Sequence, residues 1–133
     1  MADNGLITLS STHDFETTLG RLLAALAEKS IAVFARVDHA AGAKDVGLRL
    51  RPTTLVVFGN PLAGTPLMEA AQIAGIDLPL KALVWEDADG TVKLSYNDPR
   101  WISKHHCLGE AVARSIAGMT ALLAALAQRA TGN

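Results

Sequence analysis

TTLVVFGNPLAGTPLM, residues 53–68, holds a strand, a turn and a helix start in one short stretch. Residues 53–58 are β-branched or large and apolar, the composition of a strand. They are apolar enough to be buried on both faces. Gly59 to Gly64 read as a turn. Thr65 then suits a helix N-cap and Pro66 the first helical position, where proline's missing N–H is no loss. Glu69 falls in the early turns, where the helix dipole favours a negative charge. Gly75 is a natural end for this helix. A buried strand feeding a helix implies that a sheet and a helical layer share one core.

The flanking sequence extends that pattern. Residues 5–10 (GLITLS) read as a first strand, and Ser11, Thr12 and Asp14 supply capping chemistry. Phe15, Leu19, Leu22, Leu23 and Leu26 then line one face of an amphipathic helix over 14–29. Residues 31–37 (IAVFARV) form a second strand, and 38–47 are a loop or a short helix ending near Gly47. Further on, 82–86 (ALVWE) and 91–96 (TVKLSY) flank a short loop closed by Gly90, the pattern of a hairpin. Asp98-Pro99 repeats the cap-plus-proline signal for a short helix that Gly109 breaks. Val112, Ile116, Met119, Leu123 and Leu126 give the last helix, 110–130, its apolar face. The order β-α-β-(α)-β-α-β-β-α-α predicts an α+β fold: two layers, a mixed β-sheet with packed helices, rather than a pure Rossmann alternation.

Composition narrows the function classes. The 133 residues are one domain by size and enough to bury a core without disulfide or metal staples. Half of them are hydrophobic and 19% charged, which excludes disorder. A net charge of −1 and 5% aromatics argue against nucleic-acid binding by a basic patch or a stacking platform. MADNGLITLS lacks the basic and apolar regions of a secretory signal. Ile116 to Ala127, the most apolar helical stretch, is shorter than the roughly 20 residues that span a bilayer. No membrane association is expected. The single cysteine, Cys107, excludes an internal disulfide, and the cytoplasm is the expected location.

Taken together, Asp38-His39, Pro52-Thr53, FGNPLAGTPLM at 58–68, Leu78-Pro79, VWED at 84–87 and YNDP at 96–99 resemble the DUF302 family of small bacterial and archaeal proteins. The resemblance runs through nearly the whole chain. Its most specific part is the GlyAsnPro…GlyThrPro stretch. It implies a compact two-layer α/β fold and frequent homodimers. It implies no reaction, since the family is one of unknown function.

The loop Gly59-Asn60-Pro61-Leu62-Ala63-Gly64-Thr65-Pro66 follows a strand and opens a helix, where free N–H groups and a partial positive charge can meet an anion. Gly59 and Gly64 have P-loop spacing, but Thr65 stands where the phosphate-binding lysine belongs, so an NTPase is rejected. A small-anion or carboxylate site is the functional reading, and a tight turn with a capped helix the structural one. Asp38-His39 lies past a strand end, where an aspartate and a histidine can orient a base or bind a metal, or simply make a turn.

His105 and His106 are adjacent, so a helix would point them about 100° apart and they are not expected to share an ion. A metal shared by His39 and one of them is the less favoured alternative, and no metal site is expected. Cys107 has no CxxC partner and reads as structural. GxSxG, HExxH and GxGxxG are absent from the sequence. Glu86, Asp87 and Asp89 read as hairpin-turn residues, and Trp85 as core or interface.

Three readings follow. The first is a binding domain whose pocket unites Asp38, His39, Asn60, Gly64, Thr65 and His105 around a small, hydrogen-bonding or anionic molecule. The second is a homodimeric assembly module packed through the alanine-rich last helix. The third is an enzyme using His39 as base or Cys107 as nucleophile. The sequence names no cofactor.

Overall fold

The computed structural model describes residues 4–132. Strands β1 (Leu6–Ser10), β2 (Ala32–Asp38), β3 (Thr53–Gly59), β4 (Leu80–Glu86) and β5 (Val92–Asn97) join in one sheet, in the order β1-β5-β4-β3-β2. Helices α1 (Phe15–Glu28), α2 (His39–Asp45), α3 (Pro61–Ala70), α4 (Pro99–His105) and α5 (Ala113–Thr131) connect and follow them. Two 3-10 turns, Gln72–Asp77 and Glu110–Val112, precede β4 and α5. The α+β class, with helices packed on a sheet, is as the sequence implies.

The expected mixture of parallel and antiparallel pairs is not found, because all four ladders are antiparallel. The reason is the long crossover through α1. It carries the chain from β1 at one edge to β2 at the other, so these two strands, which run the same way, never become neighbours. Every later connection returns to the adjacent strand, until β5 closes against β1.

Burial follows the period of two. Thr54, Val56 and Phe58 of β3, Leu80, Ala82 and Val84 of β4, and Val92, Leu94 and Tyr96 of β5 are buried. The residues between them, including Leu55, Val57, Leu83 and Trp85, are half-buried. Residues 53–58 are therefore fully buried on one face only, as an antiparallel sheet with one helical layer allows. Trp85 lies on the less covered face, where its Nε1 donates to Ser95 Oγ at 3.0 Å and Lys93 Nζ sits 5.4 Å from its ring centroid. Asp87 and Asp89 accept from the N–H groups of Ala88 and Thr91, so they are turn residues.

Leu22 and Leu26 of α1 and Leu123, Leu126 and Ala130 of α5 are buried where the two helices pack together over the sheet. Their ends are tied: Thr12 N–H donates to Thr131 O at 2.9 Å, and Arg21 Nε to Arg129 O at 2.8 Å. The helical segment Glu110–Thr131 is longer than the Ile116–Ala127 stretch picked out in the sequence, and by length and composition it could cross a membrane. Its large side chains instead join the core, while Ala113, Ala117, Ala121 and Ala124 face outward.

Aspartates cap three helices: Asp14 accepts from Thr17 N–H, Asp38 from Ala41 N–H and Asp98 from Arg100 N–H. The start of α3 departs from expectation. Its N-cap is Asn60, not Thr65, and Pro61, not Pro66, takes the first turn. Two cap-plus-proline pairs compete here, and the earlier one prevails because Asn60 Oδ1 accepts from Leu62 N–H at 2.9 Å. Pro66 then lies inside the helix, where it cannot donate to the Leu62 carbonyl. Leu62 is 84% exposed, so water can take that carbonyl. Gly75 falls within the 3-10 turn rather than ending α3.

Phe58 is fully buried beneath the helices, so Phe58→Ala should lower the unfolding free energy by about 3–5 kcal/mol in urea titrations. A loss below about 1 kcal/mol would mean that the helical layer does not close over it.

At the start of α4, Arg100 grips Asp98 through its guanidinium and its backbone N–H, which holds the carboxyl below the usual carboxylate range despite partial burial. A depressed native pKa contributes stability above the unfolded value of about 3.9, and this is lost as pH falls through the native one. Asp98→Asn keeps the capping oxygen and removes the charge. It should flatten the acid limb of stability below about pH 4. An unchanged acid limb would show that the charge contributes nothing.

Candidate functional site

A pocket of about 310 Å³ opens at the end of the sheet where β3 leaves and β4 enters. Asn60, Ala63, Gly64 and Met68 of the α3 segment form one wall. Leu78, Pro79 and Leu80 form another, Met119 of α5 lies at the base of the helical layer, and Phe34 comes from β2. The register between β2 and β3 slips by one residue between Val33 and Ala35, which makes Phe34 a bulge. Bulges re-aim side chains, and this one brings a ring from an edge strand to the pocket. Glycine permits the close approaches. A Cβ on Gly59 would lie 3.3 Å from Pro79 Cβ and 3.8 Å from the Phe34 ring, and one on Gly75 would lie 3.1 Å from Met68 Sδ.

The pocket is apolar. Asn60 and Thr65 supply its polar side chains, and among the described residues no charged side chain lines it. The helix start, expected to offer free N–H groups, has already used them. Pro61 has none, Leu62 N–H goes to Asn60 Oδ1, and the N–H groups of Ala63 and Gly64 both go to the Asn60 carbonyl, at 2.9 and 3.2 Å. The loop thus lacks both the cation and the unpaired donors on which anion binding at a helix N-terminus depends.

The other residues expected in the site lie elsewhere. Asp38 pairs with Thr54, whereas Gly59 pairs with Ala32. Asp38 is therefore six residues, about 20 Å, along the sheet from Asn60. Asp38 lines a separate, more open groove with Lys44 and Arg49, and His39 lies outside that lining. Asp38 does not orient His39, since its carboxylate caps α2 through Ala41 N–H. Both residues are exposed. The Cys107 thiol is also exposed, in a left-handed turn with φ of 53°, so Cys107 is not a buried structural cysteine.

His105 and His106 depart furthest from expectation. The backbone still makes the helical bond from His106 N–H to the Ile102 carbonyl, at 3.1 Å, yet the two rings come together. His105 is the last residue of α4 and His106 its C-cap, with φ −97° and ψ 4°. Their rings meet edge to face with centroids 4.8 Å apart. His106 Nε2 lies 2.5 Å from Asp77 Oδ2, at the end of the Gln72–Asp77 turn. The ligand-capable atoms of Asp77, His105 and His106 all lie within 4.8 Å of one another. Asp77 falls between Gly75 and Leu78 of the pocket wall but does not itself line the pocket. The residues expected in a single pocket thus fall in separate places: the apolar pocket, the groove lined by Asp38 with exposed His39 beyond its lining, and the Asp77–His105–His106 cluster.

The chain matches the model of Domain of unknown function DUF302 over residues 7–126. Proteins called Fluoride-specific ion channel FluC 1, from Brucella suis biovar 1 (strain 1330) and Brucella abortus biovar 1 (strain 9-941), are each 49% identical to it over 107 residues. That is 80% of this chain but only 42% and 40% of theirs, so the chain spans about two fifths of these relatives. The crystal structure of an uncharacterized conserved DUF302 protein from Bacillus stearothermophilus superposes with a TM-score of 0.82 at 20% identity. The match covers 96% of this chain and 98% of that one, and the likeness is one of fold. As the residues at 38–39, 58–68 and 96–99 imply, this chain belongs to the DUF302 family.

Proposed function

We propose that this domain binds a small, uncharged, largely apolar molecule in the pocket between α3, the β3–β4 sheet end and Met119. The observation that carries the proposal is a volume of about 310 Å³ with no charged side chain among the described residues of its lining. That is the lower end of ligand-pocket sizes, and apolar walls with a few polar groups are their usual chemistry. Asn60 and Thr65 give a ligand direction, and the rest of the wall gives it a place to leave water. In the longer relatives named as fluoride channels, the shared segment would act as a binding domain within a larger chain. Fluoride itself is a poor fit to this pocket, which has no cation and no free helix N–H for it. The lone cysteine, which has no partner for a disulfide within these 133 residues, is what supports a cytoplasmic setting.

Indole and benzoate separate this reading from an anion site, since they are similar in size and differ in charge. Indole should raise the melting temperature and benzoate should not. Gly64→Leu should fill the pocket and abolish the indole effect, because a Cβ there already lies 3.9 Å from Leu78. Stabilisation by benzoate, or an indole effect that survives in Gly64→Leu, would contradict the proposal.

A second reading, homodimerisation, has its own observation. Val33, Val37, Val46, Leu48 and Leu50 are 39–72% exposed on and after the edge strand β2. An unpaired apolar edge invites a second strand. This surface is a better fit to a second copy of the chain than the alanine face of α5, which offers little area per residue. Wild-type chain should be dimeric by light scattering, and Val37→Lys should be monomeric while still binding indole. A monomeric wild type would remove this reading.

A further inference from the structure

We infer that Asp77, His105 and His106 form a binding site for a divalent first-row transition metal ion of the zinc type. The inference does not rest on the pocket, because none of the three residues lines it.

The geometry is set by the side chains at the end of α4. A continued helix would turn His106 about 100° away from His105. His106, the C-cap, still makes the helical bond to the Ile102 carbonyl, and it is the two rings that turn toward each other, with centroids 4.8 Å apart. This leaves both imidazoles beside the 3-10 turn that presents Asp77.

His105 is also held in place. Its ring stacks on Trp101, one helical turn earlier, with centroids 4.7 Å apart and planes 9° from parallel. The Trp101 ring in turn lies against Gly5, where a Cβ would come within 2.5 Å of it. The left-handed φ of 76° at Gly5 and the absence of a side chain both suit this contact.

The donor set selects the kind of ion. Two imidazole nitrogens and one carboxylate oxygen suit zinc and its neighbours rather than calcium or magnesium, which take oxygen ligands. Ligands at about 2.0–2.1 Å from a tetrahedral ion lie roughly 3.3 Å from one another. The three atoms, all within 4.8 Å of one another, need only modest side-chain rotation to reach that spacing. The His105 ring can slide within its stack on Trp101 to supply this movement, since its outer side is exposed.

Asp77 and His106 already face each other at 2.5 Å. An ion would enter between them and replace that contact with two metal–ligand bonds. Three protein ligands complete only part of a tetrahedral shell, which leaves a position for water or another small ligand. Cys107 is not part of the cluster, so the thiol is not needed for binding.

The test is a zinc titration of untagged protein against a chromophoric chelator, with Trp101 fluorescence under cobalt(II) as the second signal. Wild type should take up one zinc ion per chain, and cobalt should quench its fluorescence. His105→Ala should weaken zinc at least about tenfold and remove the quenching. The exposure of this side chain means the fold should survive its loss. Asp77→Asn should weaken zinc similarly, and His39→Ala should match wild type. The inference is overturned if wild type takes up no stoichiometric zinc. It is also overturned if His105→Ala and Asp77→Asn bind zinc as tightly as wild type.

Discussion

Asn60 sets the character of the pocket by how it starts α3. Its side chain accepts one N–H and its carbonyl two more, so the loop after β3 becomes helix at Pro61. The consequence is chemical as well as architectural. A helix that began at Thr65 would leave an open glycine loop with donors available to a ligand. Because it begins earlier, those donors are used internally, and the loop becomes a wall carrying Ala63, Gly64 and Met68. The pocket is therefore apolar for a backbone reason, and the preference for an uncharged occupant follows from it.

The sheet determines what this wall closes against. One face of β3, β4 and β5 is buried under α1 and α5, and the helical layer brings Met119 to the base of the pocket. The antiparallel return from β3 to β4 puts Gly59 beside Pro79 and Leu80, so the end of the sheet becomes the second wall. The bulge in β2 adds Phe34. Strand β2 itself stays at the edge because α1 crosses the whole sheet, which leaves its apolar side chains exposed.

Much of this was legible in the sequence, for identifiable reasons. All five strands and the helices α1, α4 and α5 fall close to the positions that periodicity and caps mark, since those signals are local. The family was legible too, through short residue patterns at fixed places in the chain. The all-antiparallel order was not legible, because nothing local tells a crossover helix how many strands to pass. The start of α3 was misplaced because two equivalent cap-plus-proline signals lie five residues apart. The pocket was half visible. Asn60, Gly64 and Thr65 do line it, but Phe34, Leu78 and Met119 arrive from distant segments, and no sequence spacing relates them. The cluster at Asp77 was hidden for the same reason, and also because helical spacing sets where the Cβ atoms of His105 and His106 point but not how their rings turn.

The most direct test of the central claim is an NMR spectrum of methionine methyl groups, recorded while dissolved benzene is added. The chain has three methionines, and Met68 and Met119 line the pocket from different helices. Apolar cavities of this kind take up benzene, and the account predicts that both signals move together along one saturable curve. If neither moves, or only one does, the two side chains do not share a ligand-accessible space, and the pocket is not a binding site.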